Sequence, residues 1–237
     1  MKIRAGTSGY SYKEWKGNFY PSDLPAAQML AYYAKQFSTV EINNTFYRMP
    51  TDKLLLDWSN QVPDGFQFVL KASRRITHNK KLANVDDDLA YLLKTMAALG
   101  AKRGPLLFQT PPFLRKNLDL LKTFLGGLPK SGRHSLEFRH QSWFDEETFE
   151  VLRAHNAALC LAEAENDLDI PFVGTADWGY LRLRQPDYTD ADLREWSKRV
   201  AGQPWKEVFV FFKHEEAGKG PAFARRFMEL AGDSAKD

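Results

Sequence analysis

Apolar residues recur with a strand-like rhythm in eight short stretches, and between most of them the rhythm lengthens to that of a helix. The stretches are KIRAGTS (2–8), STVEIN (38–43), FQFVLKA (66–72), GPLLFQT (104–110), HSLEFRH (134–140), AALCLAE (157–163), GYLRLRQ (179–185) and EVFVFFKH (207–214). Helical spacing puts Met29, Leu30, Tyr33 and Phe37 of PAAQMLAYYAKQF on one face, and Leu89, Leu92, Leu93 and Met96 of DDDLAYLLKTMAALG on another. NLDLLKTFLGG, DEETFEVLRAHN, TDADLREWSKRVAG and GPAFARRFMELAG continue the series. Their ends carry start and stop signals: aspartates at 86–88, a Thr189/Asp192 capping-box variant, Pro221 at a start, and Gly100, Gly126, Gly202 and Gly232 at ends. Residues 164–177 read as loop. Eight strands alternating with about seven helices predict an α/β fold, a (β/α)8 TIM-like barrel in a single domain over 1–237, with a doubly wound open sheet as the alternative.

In a parallel barrel strand, successive side chains point alternately at the helices and at the barrel axis. Val40 and Ile42 take the helix side, which turns Glu41 and Asn43 inward. Leu136 and Phe138 do the same for Glu137 and Arg139, and Leu181 and Leu183 for Arg182 and Arg184. Lys71, Gln109 and Lys213 end the inward sets of their strands. These polar residues fall late in the strands, at the end where barrel enzymes keep their active sites. Burying such charges unpaired costs several kcal/mol each, so they must pair or bind something. Two readings follow. One is a structural ion-pair network that plugs the barrel. The other is an anion site, because Lys71, Arg139, Arg182, Arg184 and Lys213 outnumber Glu41 and Glu137 even with Glu163 added.

Composition narrows the class. Hydrophobic residues make up 43% of the 237 and charged residues 27%, which suits a globular core and excludes a disordered chain. The net charge of +3 permits a phosphate-bearing partner without requiring one. Cys160 is the only cysteine and sits in an apolar run, so it reads as a buried small hydrophobe. The opening MKIRAGTSGY has no apolar core of a signal peptide, and no run approaches a membrane span. A cytoplasmic protein without membrane contact is the expectation, and nothing in the chain speaks to oligomeric state.

The loops after the strands supply further candidates. GTSGYSYKEWKGNFYP holds five aromatics. It reads either as a loop with its own small core or as a stacking wall, with Tyr10 and Trp15 the candidates. KASRRITHNKKL is basic throughout, offering Lys71, Arg74 and His78 to a phosphate, or else a solvated loop. EFRHQSWF adds His140, as a general acid or base or as a structural histidine, and Trp143. Candidate metal ligands (Glu41, Glu137, His140, Glu163, His214, Glu215) show no ligand-grade spacing and have cations beside them, so no metal and no cofactor is expected. Ser8 in GTSGY has no assignable His–Asp partners, so serine hydrolase chemistry is discounted.

Taken together, GTSGYSYKEWKGNFYP, TVEINNTFYRMP, FQFVLKASRRITH, LLFQTPP, LEFRHQSW and YLRLR resemble the DUF72 (YecE-like) family of bacterial proteins, in order and over nearly the whole chain. The resemblance implies a TIM-barrel-like fold and no settled reaction. It also implies Glu41, Asn43, Thr45, Tyr47, Lys71, His78, Gln109, Glu137, Arg139 and Trp143 as motif residues. Three positions depart from the family pattern: Glu163 stands where strand six often ends in Asp, Arg184 where His is common, and Lys213-His214-Glu215 where Asn-Asn-Asp is common.

The functional expectation is an anionic small molecule, nucleotide or nucleic acid bound at the C-terminal mouth of the barrel. Glu41 and Glu137 would be acid and base if a phosphodiester or glycosidic bond is cut. The rival is a non-catalytic binding or partner module whose barrel charges are structural.

Overall fold

A computed structural model describes residues 1–163 and 168–233. Eight parallel strands, β1 (Lys2–Thr7), β2 (Thr39–Ile42), β3 (Gln67–Lys71), β4 (Arg103–Gln109), β5 (His134–Glu137), β6 (Ala158–Ala162), β7 (Trp178–Leu183) and β8 (Glu207–Phe212), form one sheet. Its order is β1-β8-β7-β6-β5-β4-β3-β2. The sheet curls until β1 and β2 face each other, so the architecture is a nearly closed barrel and not an open doubly wound sheet. No helix among the described residues is long and apolar enough to cross a membrane.

The seam between β1 and β2 is held by few bonds. Gly9 N–H donates to the Glu41 carbonyl at 2.7 Å, beside a lone Ser8–Glu41 bridge. Below that, the Tyr33 hydroxyl stands in for a ladder. It accepts from the Thr7 N–H at 2.8 Å and donates to the Thr39 carbonyl at 3.1 Å. Gly6 allows the approach, since a Cβ there would lie 2.4 Å from the Thr39 carbonyl oxygen.

Helices cover the outside. They are α1 (Met29–Tyr33), α2 (Asn44–Tyr47), α3 (Asp52–Ser59), α4 (Asp86–Met96), α5 (Leu118–Gly126), α6 (Glu146–Ala154), α7 (Asp190–Ala201) and α8 (Lys219–Asp233). The Thr189/Asp192 capping box forms at the start of α7. The α3 helix lies outside the helical patterns of the sequence because its stripe is poor: Leu55 is buried while Leu54 and Leu56 are exposed. The stretch before α1 begins as a 3-10 turn at Ala26–Gln28. The described part of 164–177 contains no helix, in line with its loop reading.

The barrel interior has three layers. Near the N-terminal ends, Arg4 Nε pairs with Glu207 at 2.6 Å, and Arg133 reaches Glu207 and the Gln67 side chain. Above lies an apolar layer in which small β6 residues, Ala158, Cys160 and Ala162, make room for Trp178, Tyr180, Phe209 and Phe211. The third layer is charged and opens to the mouth.

Tyr33→Phe removes the hydroxyl that serves both strands and leaves a buried N–H and C=O unpaired. It should lower stability by about 1–3 kcal/mol in urea unfolding. Gly6→Ala should cost at least as much, because its obstacle is backbone and not a flexible side chain.

Candidate functional site

Period-two alternation carries Glu41, Glu137 and Arg182 to the axis from β2, β5 and β7, while Val40, Ile42, Leu136, Leu181 and Leu183 pack outward in the main core. All three charged side chains are buried to within 2%. Arg182 lies between the carboxylates: Nη2 donates to Glu41 Oε1 at 2.8 Å and Nη1 to Glu137 Oε2 at 2.6 Å. Glu41 also accepts from Ser8 Oγ (2.7 Å), Tyr180 Oη (2.5 Å) and Asn43 Nδ2 (3.3 Å). Glu137 accepts from Gln109 Nε2 (2.9 Å) and Arg184 Nη2 (3.0 Å).

Burial would raise both carboxyls. The cations Arg182 and Lys71, with Arg184 at Glu137 and the Tyr180 and Ser8 hydroxyls at Glu41, outweigh it and hold both below the usual carboxylate range. They are therefore anions at neutral pH with their oxygens occupied, a poor state for a general acid. Beside the acid–base role expected of them, Glu41 and Glu137 have a second, geometric one. They are the seat of Arg182.

Above this floor opens a cavity of about 600 Å³. Among the described residues, Lys71, Arg74, Arg139, Arg182, Arg184 and Lys213 line it, against one lining carboxylate, Glu215. Asn43, Tyr47, His78 and Gln109 reach it as well. Lys71 Nζ donates to Gln109 Oε1 at 2.8 Å and sits 4.2 Å from the centre of the Phe46 ring. Burial, then the charge of Arg182, pull its ammonium down to about 8, against the opposing pull of Glu137 and Glu41. His78 rides on a π-helical turn, Arg75–Asn79, a distortion that recurs at functional sites. Its Nδ1 is held by the Thr77 hydroxyl at 2.9 Å and its ring meets Phe46 edge-on. Burial and the charges of Lys71, Arg139 and Arg74 lower its pKa, so it is neutral at neutral pH.

Four expected residues are not brought to the cavity. Trp15 is fully buried against Tyr12, Phe19 and Tyr20, which makes its loop a small core of its own. Tyr10 packs on Tyr33. Trp143 stacks on Phe138 at 4.5 Å, and its Nε1 donates to the Leu114 carbonyl at 2.7 Å, tying two loops together. His140 accepts from the Ser142 N–H at 3.1 Å and caps a short turn. The basic third loop is also less open than its composition suggests. Arg75 and Lys80 both pair with Asp88, each at 2.8 Å.

Asn44 and Phe46 line the cavity without having been singled out for it, joined by Tyr12 of the aromatic first loop and Glu215, a candidate only as a metal ligand. Phe46 had a signal: it lies in the block that follows Glu41. Among the described residues, no three of His, Cys, Asp and Glu gather where one ion could be held. Glu163 instead accepts from the Arg184 N–H (2.7 Å) and Trp196 Nε1 (3.1 Å), and His214 meets the Gln185 carbonyl.

The seat of Arg182 makes a linkage prediction. Both carboxyls are depressed on folding, so their contribution to stability is present above the unfolded value of about 4.3 and is lost as pH falls below it. Thermal melts should show that loss in the wild type and a flatter acid limb in Glu41→Gln. Arg182→Met, which strands two buried carboxylates, should cost about 3–5 kcal/mol at neutral pH.

Comparison with known proteins agrees with this architecture. The family described as "Protein of unknown function DUF72" matches residues 4–237. UPF0759 protein YecE of Escherichia coli K12 is 34% identical over 113 residues, 47% of this chain, and the match spans 42% of YecE. UPF0759 protein YunF of Bacillus subtilis is 24% identical over 90% of both chains. The crystal structure of a DUF72 family protein from Thermotoga maritima superposes with a TM-score of 0.85 at 25% identity, covering 98% of this chain and all of the other. A GH5_18 protein from Bifidobacterium longum shares the fold alone, with a TM-score of 0.54 at 10% identity over all of this chain and 80% of its own. A barrel of this topology, with the motif blocks on its C-terminal rim and a family match running the length of the chain, belongs to the DUF72 family.

Proposed function

We propose that the mouth of the barrel binds a small anionic ligand carrying a phosphate group, a nucleotide being the largest class the space suits. The observation that carries this reading is the charge of the lining. Cations dominate the described cavity wall, while both floor carboxylates are already engaged by Arg182, Arg184 and hydrogen-bond donors. Phosphate oxygens accept readily from guanidinium and ammonium groups, and partial burial strengthens such bonds. The volume is in the range of small-molecule sites. Exposed Tyr47 and the half-buried Phe46 and Tyr12 give a flat partner for a base or a sugar.

The rival structural reading describes the floor well and the rim poorly. Glu41, Glu137 and Arg182 are deeply buried and bonded to one another, as in a plug. Lys71, by contrast, faces the cavity with a neutral side-chain acceptor, Gln109, and Arg74 is exposed at the rim. The basic rim loses Arg75 and Lys80 to Asp88, which favours a compact ligand over a long nucleic-acid track.

Calorimetric titration with pyrophosphate and with a nucleoside diphosphate tests this, beside anisotropy with a labelled single-stranded oligonucleotide. Binding of the small phosphates should weaken as salt rises. Arg74→Gln and Arg139→Gln should each weaken it roughly tenfold, the scale of one charge-assisted hydrogen bond. No binding of any phosphate, or unchanged affinity in both variants, refutes the reading. Tight oligonucleotide binding without small-phosphate binding moves the site from a pocket to a track.

A further inference from the structure

Lys71 is placed differently from the other cations of the mouth. It ends β3, and its backbone carbonyl accepts from the Thr45 hydroxyl at 2.7 Å, so the stem is rigidly seated. Lys71 is nine-tenths buried as a residue yet lies on the cavity wall, with its Nζ against the Phe46 ring and Gln109 Oε1 directing one hydrogen. The charged groups that act on it are Glu41 of β2, Glu137 of β5, Arg182 of β7 and Arg184 just after β7. The two carboxylates are committed to the two arginines, and no direct carboxylate partner to Nζ is recorded among the described residues. Burial and the charge of Arg182 weaken its hold on the proton, against the pull of the two carboxylates, and His78 lines the same cavity.

We infer that Lys71 is a nucleophilic amine that condenses with the carbonyl of a phosphorylated aldehyde or ketone held in the barrel mouth. The inference rests on the phosphate reading above only for the phosphate on the substrate. A lysine desolvated beside other cations is a known way of making an amine nucleophilic. The step balances without another reactant. The free amine of Lys71 forms an N–C bond as the carbonyl π bond breaks, and a proton passes from nitrogen to the new alkoxide, giving a carbinolamine. The C–O bond then breaks with one proton taken up from solvent, releasing water and leaving an iminium. His78, neutral at neutral pH, lines the same wall and can accept and return the proton moved in the first step.

The test is reductive trapping with cyanoborohydride, using glyceraldehyde 3-phosphate and glyceraldehyde as probes, followed by peptide mapping of the whole chain. An amine near 8 is free at about pH 7.5 on the order of a hundredfold more than a surface lysine near 10.4. Lys71 should therefore label at least roughly tenfold faster than exposed Lys13 and Lys53, with a rate that climbs through a pH of about 8. The phosphorylated probe should react faster, and pyrophosphate should slow it. Lys71→Arg should abolish the site-specific label, and Lys71→Met should do the same if the arginine variant melts early. The wild-type map decides the question even if both variants unfold. Labelling of Lys71 no faster than Lys13, while calorimetry shows phosphate binding, overturns this inference and leaves the anion site standing. Equal rates with the two probes support the amine chemistry and overturn the phosphate reading.

Discussion

One guanidinium organises the upper half of this barrel. Arg182, from β7, reaches across the barrel to Glu41 and Glu137, which share the other half of the sheet, and makes a single buried ionic layer of β2, β5 and β7. In so dry a place each charge is tolerable only because the others are present. The layer therefore sets register as well as charge. A slip of one residue in any of those strands would send its charged side chain among the helices and bring a leucine or isoleucine into the axis.

That layer separates two chemistries. Below it lies a packed apolar plug of aromatic and small residues, closed at the bottom by Arg4, Arg133 and Glu207. Above it lies a cavity where, among the described lining residues, six cations face one carboxylate. The floor faces the cavity with Arg182 while its carboxylates are turned to internal donors. The same residues that make the barrel stable thus leave its mouth electropositive. Lys71 sits at the boundary, where burial lowers its pKa to about 8 while its side chain still lines the cavity.

The aromatic loops are scaffolding for this mouth. Trp15 folds its loop over the β1–α1 side, and Trp143 pins the β4 and β5 loops together through the Leu114 carbonyl. Neither ring is left for a ligand. Their role is to hold Tyr12 and Arg139 where the cavity needs them, which fits the requirement that a site be built on rigid support.

The sequence alone determined the strand count, the barrel and the facing of Glu41, Glu137, Arg182 and Lys71. Alternation is a local property, and a parallel strand buried on both sides must obey it. Helix starts such as Thr189/Asp192 were legible for the same reason. Which of those inward residues pair with one another was not local. Only closure of the barrel set Arg182 between two carboxylates and turned them from candidate acids into fixed anions. Only tertiary packing paired Arg75 and Lys80 with Asp88, buried Trp15 and Trp143, set Tyr10 against Tyr33, and brought Tyr12 and Phe46 to the cavity. Burial of a loop aromatic depends on what the rest of the chain lays across it, and no spacing within the loop records that. Charge pairing depends on distances through space between residues 141 positions apart in the case of Glu41 and Arg182, which is why the fold was readable first and the site second.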